Sequence, residues 1–299
     1  MKLGILVVYL VSDNNERLLE IHLNKIKECT TSPFTIYAGT NLLLPQFVDK
    51  LREYDFIKQC YCTDYNGPDE NTRGTKEQSH YVEQLINAAN KDKVSHLVIM
   101  HPDSFPIKVG WEKYLANKLS KSCVLVSNFP AMSACTFFSR DFYFKYRPRL
   151  LPSAQEELSE SWINFQKANQ TPHLVETGMG FAHLVTQKNL IWYKLNRSNR
   201  GEYHNYFGSI FEDVLFHLGS ASEYQTRPMR GYVKDSNFHN LKQVVADLLS
   251  FAIKEKIKNI LPNEFLYPEE KKNKDDFFKI RKALLNETEK FLNFLINGK

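Results

Sequence analysis

No apolar run in this sequence approaches the ~20 residues that a membrane-spanning helix needs. The N-terminal apolar stretch, Met1 to Val11, carries one lysine and meets Asp13-Asn14-Asn15 at once. No small-residue cleavage site follows, so it reads as a first β-strand and not as a signal peptide. Cysteine is sparse and unpatterned. Cys29, Cys60, Cys62, Cys123 and Cys135 make no zinc arrangement, since Cys60-x-Cys62 is tighter than the usual structural-zinc pair. A reducing compartment suits them better than an oxidising one, which implies a cytoplasmic protein with at most peripheral contact at the inner membrane surface. Charge of either sign is nearly balanced, 39 Lys+Arg against 34 Asp+Glu for a net +5. That favours an anionic ligand but lacks the dense basic stripe of a nucleic-acid binder. No internal repeat is present, which excludes a solenoid.

What the 299 residues do contain is enough apolar (42%) and aromatic (13%) material to fill a sizeable core. The first 130 residues alternate in period. Strands are predicted at Gly4–Val11, Phe34–Ala38, Ile57–Thr63, Leu97–Met100 and Cys123–Ser127. Helices are predicted at Glu16–Cys29, Pro45–Tyr54, Lys76–Asn90 and Trp111–Leu119. This βαβα order predicts an α/β fold, a mostly parallel central sheet with helices on both faces, whose ligands lie at the carboxyl ends of the strands. Further along, a short strand at Thr136–Phe138, helices at Gln155–Ala168 and Glu176–Gln187, and strands at Leu190–Leu195 and Val214–Phe216 are expected. Asn196–Tyr206 is polar and reads as a mobile loop. After about Asp235 the character changes to long amphipathic helices, Phe238–Ile260 and Asp275–Ile296. The expected division is therefore a domain over 1–235 and a C-terminal helical extension over 236–299.

The most informative stretch is His96 to Trp111. Its apolar run, Leu97 to Met100, delivers His101 and Asp103 at the strand's end, followed by Pro106 and Trp111. On an extended backbone the His101-x-Asp103 spacing aims both side chains the same way. An imidazole and a carboxylate together suit a divalent ion such as manganese. Asp103 capping a turn is the plainer alternative.

The order of these motifs resembles the GT-A fold glycosyltransferases, especially bacterial family-2-like enzymes, over roughly residues 1 to 225. In that family a strand ends in Asp-x-Asp, with a proline and a tryptophan after it. Here His101-Pro102-Asp103-Ser104-Phe105-Pro106 and Trp111 fit except at the first acid. Asn71-Thr72-Arg73-Gly74 and the helix after it look like the segment that precedes this strand. Val175-Glu176-Thr177-Gly178 is similar to the family's acidic motif, and Phe216-His217-Leu218-Gly219-Ser220 to its later histidine. The resemblance implies a Rossmann-like GT-A sheet and transfer of a sugar from a nucleotide-sugar, UDP-linked, to a saccharide, glycolipid or glycan acceptor. It implies an inverting, Mn2+- or Mg2+-assisted reaction.

Carried over residue by residue, the resemblance makes Asp103 and His217 metal ligands, with His101 as a third ligand or a contact to the donor. Glu176, expected at a helix start, becomes the base; Asp213 and Glu212 are the runners-up. Base and ribose recognition falls to Tyr9, Val11 and Ser12 after the first strand, Gly39 and Asn41 after the second, and Asp64 after the third. Arg73 and Lys76 are candidates for the diphosphate, as are Lys194, Arg197, Arg200, Arg227 and Arg230. Turn chemistry, capping and solvated surface charge explain each of these residues equally well one at a time. A nucleotidyltransferase on a similar scaffold would carry a Gly-rich, basic loop after strand one, which Val11-Ser12-Asp13-Asn14-Asn15 lacks. A non-catalytic nucleotide-sugar-binding relative is the other alternative, motivated by His101. The apolar stripes of the tail must be covered by the catalytic domain, by a homodimer through these helices, or by a membrane surface.

Overall fold

A computed structural model of the chain describes residues 1–10, 16–67, 73–129, 132–171, 175–204, 206–219 and 268–299. The predicted helix at Phe238–Ile260 and the residues Val11, Ser12, Arg227 and Arg230 lie outside the described residues.

The sequence periods are realised in order: β1 (Leu3–Val8), α1 (Glu16–Cys29), β2 (Phe34–Gly39), α2 (Pro45–Arg52), β3 (Ile57–Cys60), α3 (Arg73–Lys91) and β4 (His96–Ile99). There follow β5 (Ser104–Pro106), α4 (Trp111–Ala116), β6 (Cys123–Asn128), β7 (Thr136–Ser139) and α5 (Arg140–Tyr146). Then come α6 (Ala154–Glu157), α7 (Glu160–Ala168), α8 (Met179–Gln187), β8 (Ile191–Leu195), β9 (Ser209–Phe211) and β10 (Leu215–His217). The last helices are α9 (Pro268–Asn286) and α10 (Thr288–Asn297).

Seven strands form one sheet in the order β3-β2-β1-β4-β7-β6-β8, and β5-β10-β9 form a second, three-stranded sheet. In the large sheet only β7 runs antiparallel, to both β4 and β6. The carboxyl ends of the other six strands therefore share one edge, and β7 enters at that edge through Thr136. Both faces are covered, which is why the central strands are apolar on both sides. Leu3, Ile5 and Val7 of β1 join one core with Leu19, Leu23, Trp111 and Leu115, whereas Leu6 joins the opposite core with Val82, Leu85 and Phe181.

Several predicted helices differ at their ends, and three of them differ most. The helix predicted over Gln155–Ala168 is two, because Ser153 caps α6 through a capping box with Glu156 and Ser159 caps α7 anew. The helix predicted to start at Glu176 starts at Met179, after Gly178 turns left-handed at φ +101°. The predicted Asp275–Ile296 helix begins earlier, at Pro268, and breaks at Glu287.

The loop before β2 is fastened to α4 by a buried carboxylate. Glu112 Oε1 accepts from the backbone N–H of Thr31 (3.1 Å) and Ser32 (3.0 Å) and from their hydroxyls (2.7 and 3.0 Å). Burial pushes its pKa up, but these donors outweigh burial and hold it below the usual carboxylate range. The stabilisation is thus present at neutral pH and is lost as pH falls through that lowered pKa. Glu112→Ala leaves four donors without their acceptor and is expected to cost about 3 kcal/mol, lowering Tm by roughly 6–12 °C in a thermal melt. The gap from wild type should shrink in acid; a constant gap across pH would show the carboxylate charge to be irrelevant.

The chain divides into two compact units, residues 1–197 with 211–216, and residues 198–210 with 217–299. In the second unit α9 and α10 bury Phe277, Ile280, Leu284, Phe291, Leu292 and Leu295. The 198–210 segment lies against them, with Tyr203 stacked on Phe291 and Phe207 edge-on to Phe277. The stretch read as a mobile loop is tied down: Arg200 N–H donates to Leu295, and Asn199 Nδ2 donates to the Gly208 carbonyl. Phe277 and Phe291 of the last helices thus meet residues of the 198–210 segment within this unit.

Candidate metal centre

Strand β4 runs out at Ile99, and the chain turns sharply before β5. Ser104 makes that turn: its hydroxyl accepts from the His101 N–H (3.2 Å) and donates to the Ala134 carbonyl (2.7 Å). His101 and Asp103 are held on this bend, Nδ1 to Oδ1 3.8 Å apart, with Asp103 buried and His101 half-buried. His217 ends β10. It follows Phe216, whose ring packs on Phe105 of β5 (4.9 Å between centroids), while Ile107 N–H donates to Val214. One ligand atom from each of His101, Asp103 and His217 lies within 4.8 Å of the others. Ligands at about 2.1 Å from a common ion can stand at most about 4.2 Å apart. A common ion would draw these atoms closer together, and two imidazoles with one carboxylate are a sound donor set for a divalent ion.

The β9–β10 hairpin that presents His217 turns through Glu212 and Asp213, both left-handed at φ +52° and +55°. Two consecutive positive φ angles form the tight hairpin turn that usually prefers Asn-Gly, so non-glycine residues there need support. Glu212 supplies it. Its carboxylate accepts from Tyr114 (2.6 Å), Tyr193 (3.3 Å) and the Asn196 backbone and side-chain N–H groups (3.1 and 3.0 Å). Burial pushes its pKa up, yet these bonds and the nearby Lys118 charge bring it below the usual range. Glu212, a runner-up for the base, is thus engaged in holding a turn, and Asp213 occupies the turn's tip.

Behind the bend stands His22 of α1. Its Nδ1 is 2.7 Å from the Ser104 carbonyl, which only accepts, so Nδ1 carries the proton and Nε2 accepts from the Tyr9 hydroxyl at 3.1 Å. Burial drives its pKa down to about 4, so the ring is neutral and this tautomer persists. Tyr9, expected at a ligand-facing position, is wholly buried and supports the bend from behind. His22 itself gave one sign in the sequence, a polar residue on the apolar side of an amphipathic helix.

The other expected contacts fall into two groups. Gly39 accepts from the Tyr9 N–H (3.0 Å). Asn41 Nδ2 donates to Asp64 Oδ1 (2.8 Å) and to the Cys62 carbonyl, and its Oδ1 accepts from Cys62 N–H. Gly39, Asn41 and Asp64 therefore meet at the ends of β2 and β3. Arg73 opens α3, and Lys76 lies in its first turn.

The Glu176 segment is anchored beside that turn: Thr177 Oγ1 is 3.0 Å from Ser79 Oγ and donates to the Thr75 carbonyl. Glu176 precedes α8 and does not stand in its first turn, so it lacks the dipole environment expected from the sequence. Its position is set by glycines. Gly178 is left-handed against Met132, and a Cβ on Gly180 would overlap the Arg149 carbonyl oxygen. Among the cations, Lys194 sits over the rings of Phe129 and Trp192 (5.0 and 4.6 Å), and Arg200 donates to the Ile296 carbonyl.

No family model matches the sequence, and no curated protein matches it. Among solved structures the fold is similar to mouse xyloside xylosyltransferase 1 (12% identity, TM-score 0.37, 66% of this chain and 86% of that one). It is similar also to a mannosyltransferase from Pyrobaculum calidifontis, solved with GDP-Man and Mn2+ (10% identity, TM-score 0.44, 99% and 79%). A third is the glycosyltransferase GlyE of Streptococcus pneumoniae (8% identity, TM-score 0.36, 66% and 45%).

Proposed function

We propose that this chain is a glycosyltransferase that moves a sugar from a nucleotide-sugar, of the UDP type, to a saccharide, glycolipid or glycan acceptor. The observation that carries the reading is the His101–Asp103–His217 group at the carboxyl edge of a mostly parallel sheet. Residues 1–235 are read as the catalytic part and 236–299 as its helical extension.

A divalent ion held by these three residues, Mn2+ or Mg2+, would neutralise charge on the leaving diphosphate. Asn41 and Asp64 meet the nucleoside at the ends of β2 and β3, and Arg73 and Lys76 add positive charge. Glu176 takes the proton from the acceptor hydroxyl. The acceptor oxygen then bonds to the anomeric carbon as the bond from that carbon to the diphosphate oxygen breaks, its electron pair leaving with the diphosphate. Attack opposite the leaving group inverts the anomeric centre.

Titration of UDP and GDP by calorimetry, with Mn2+, Mg2+ or chelator, tests the reading. Mn2+ should tighten one nucleotide at least about tenfold and Mg2+ less, since two imidazoles favour the transition metal. At a hundred times its Kd the ligand should add about 2.7 kcal/mol of stability. Equal affinity in chelator would sink the metal role. Two imidazoles and a carboxylate also hold ferrous iron in oxygenases. Tight iron binding without any coupling to nucleotide would favour that chemistry instead.

A further inference from the structure

We propose that Asn128 recognises a hydroxyl of the transferred sugar, its carboxamide donating one hydrogen bond and accepting another; this rests on the glycosyltransferase reading above. Asn128 is wholly buried, and neither Nδ2 nor Oδ1 makes a hydrogen bond to any described protein group. A buried amide with both halves idle is costly, and such a group calls for a partner. Its buried polar neighbours are satisfied within the protein. Ser127 accepts from the Trp192 indole (2.8 Å), Thr136 donates to Met132 (2.7 Å), and Ser104 donates to Ala134.

The position is that of a ligand contact. Asn128 is the last residue of β6, at the shared carboxyl edge. Side chains alternate along a strand, so it faces the same side as Val126, whose core includes Met100, Cys135, Val214 and Leu215. That is the side on which Leu215 of β10 packs. The Asn128 N–H donates to Cys135 (3.2 Å), and the next residue back, Ala134, is bonded by Ser104, the neighbour of Asp103. A neutral group that both donates and accepts matches a hydroxyl, whereas a phosphate would call for donors or positive charge. With the diphosphate at Asp103, the next part of the donor is its sugar.

Asn128→Leu keeps the forked side-chain skeleton and its number of heavy atoms while removing both polar atoms. The probes are UDP, GDP, UDP-glucose, UDP-galactose, UDP-N-acetylglucosamine and GDP-mannose, each with Mn2+. Calorimetry gives affinity, and donor hydrolysis gives kcat/KM. The variant is expected to keep or raise Tm and to bind the bare nucleotide like wild type. Its affinity for the preferred nucleotide-sugar, and kcat/KM for that donor, should fall about tenfold or more. Wild-type values for the nucleotide-sugar would overturn the proposal. So would a lower Tm with nucleotide and nucleotide-sugar weakened alike, which is the mark of a structural amide. Wild-type protein that binds none of the six probes would overturn the glycosyltransferase reading itself, before any variant is made.

Discussion

Asp103→Ala is expected to abolish the Mn2+-dependent gain in nucleotide affinity and to lower turnover by about 10³-fold or more. Asp103 brings the only carboxylate to the group formed with His101 and His217, and it is buried. Two imidazoles would remain, with no anionic oxygen to offset the ion's charge. Loss of several kcal/mol of charge stabilisation at the leaving diphosphate corresponds to that factor. Asp103→Asn separates charge from shape, because it keeps the volume at the bend while removing the anion. Both variants should lose the metal-dependent term and keep the affinity measured in chelator. If either retains the Mn2+ effect, the ion is held elsewhere. A thermal melt supplies the folding control, with Ser104 and His22 securing the bend.

Glu176→Gln should lower turnover by about 10² to 10⁴ while leaving nucleotide-sugar binding nearly intact. The amide preserves size, so the Thr177 and Gly178 contacts that set the segment are undisturbed. The structure sharpens the comparison with the runners-up. Glu212 is occupied in the hairpin turn, so Glu212→Gln should act on stability and on the placing of His217, lowering Tm and metal affinity together. Asp213→Asn, at the turn's tip, should leave turnover near wild type. Near-normal turnover in Glu176→Gln with a collapse in Asp213→Asn would transfer the base to the hairpin.

Much of this architecture is legible in the chain. The apolar runs at Leu3–Val8, Phe34–Gly39 and His96–Ile99 and the 3.6-residue spacing of α1 and α3 are local properties. Backbone period and burial of one or both faces determine them without reference to distant residues. The sequence by itself also determined that His101 and Asp103 stand where a strand ends, since the apolar run stops at Met100 and Pro102 follows at once. Helix ends were less legible, because they turn on single capping side chains and on left-handed residues such as Gly178.

Tertiary structure alone decided what meets what. Nothing local places β7 antiparallel between β4 and β6, brings His217 to His101 and Asp103, or spends Glu212 on a turn. Tyr9 follows an apolar strand in a way that suits a ligand contact or the core equally; its pairing with His22 chose the core. Asn128 is an ordinary polar strand end until the fold buries it with no hydrogen bond from its carboxamide to any described group. These outcomes depend on contacts between residues far apart in sequence, and a period read along the chain carries no information about which distant side chain will fill the space opposite.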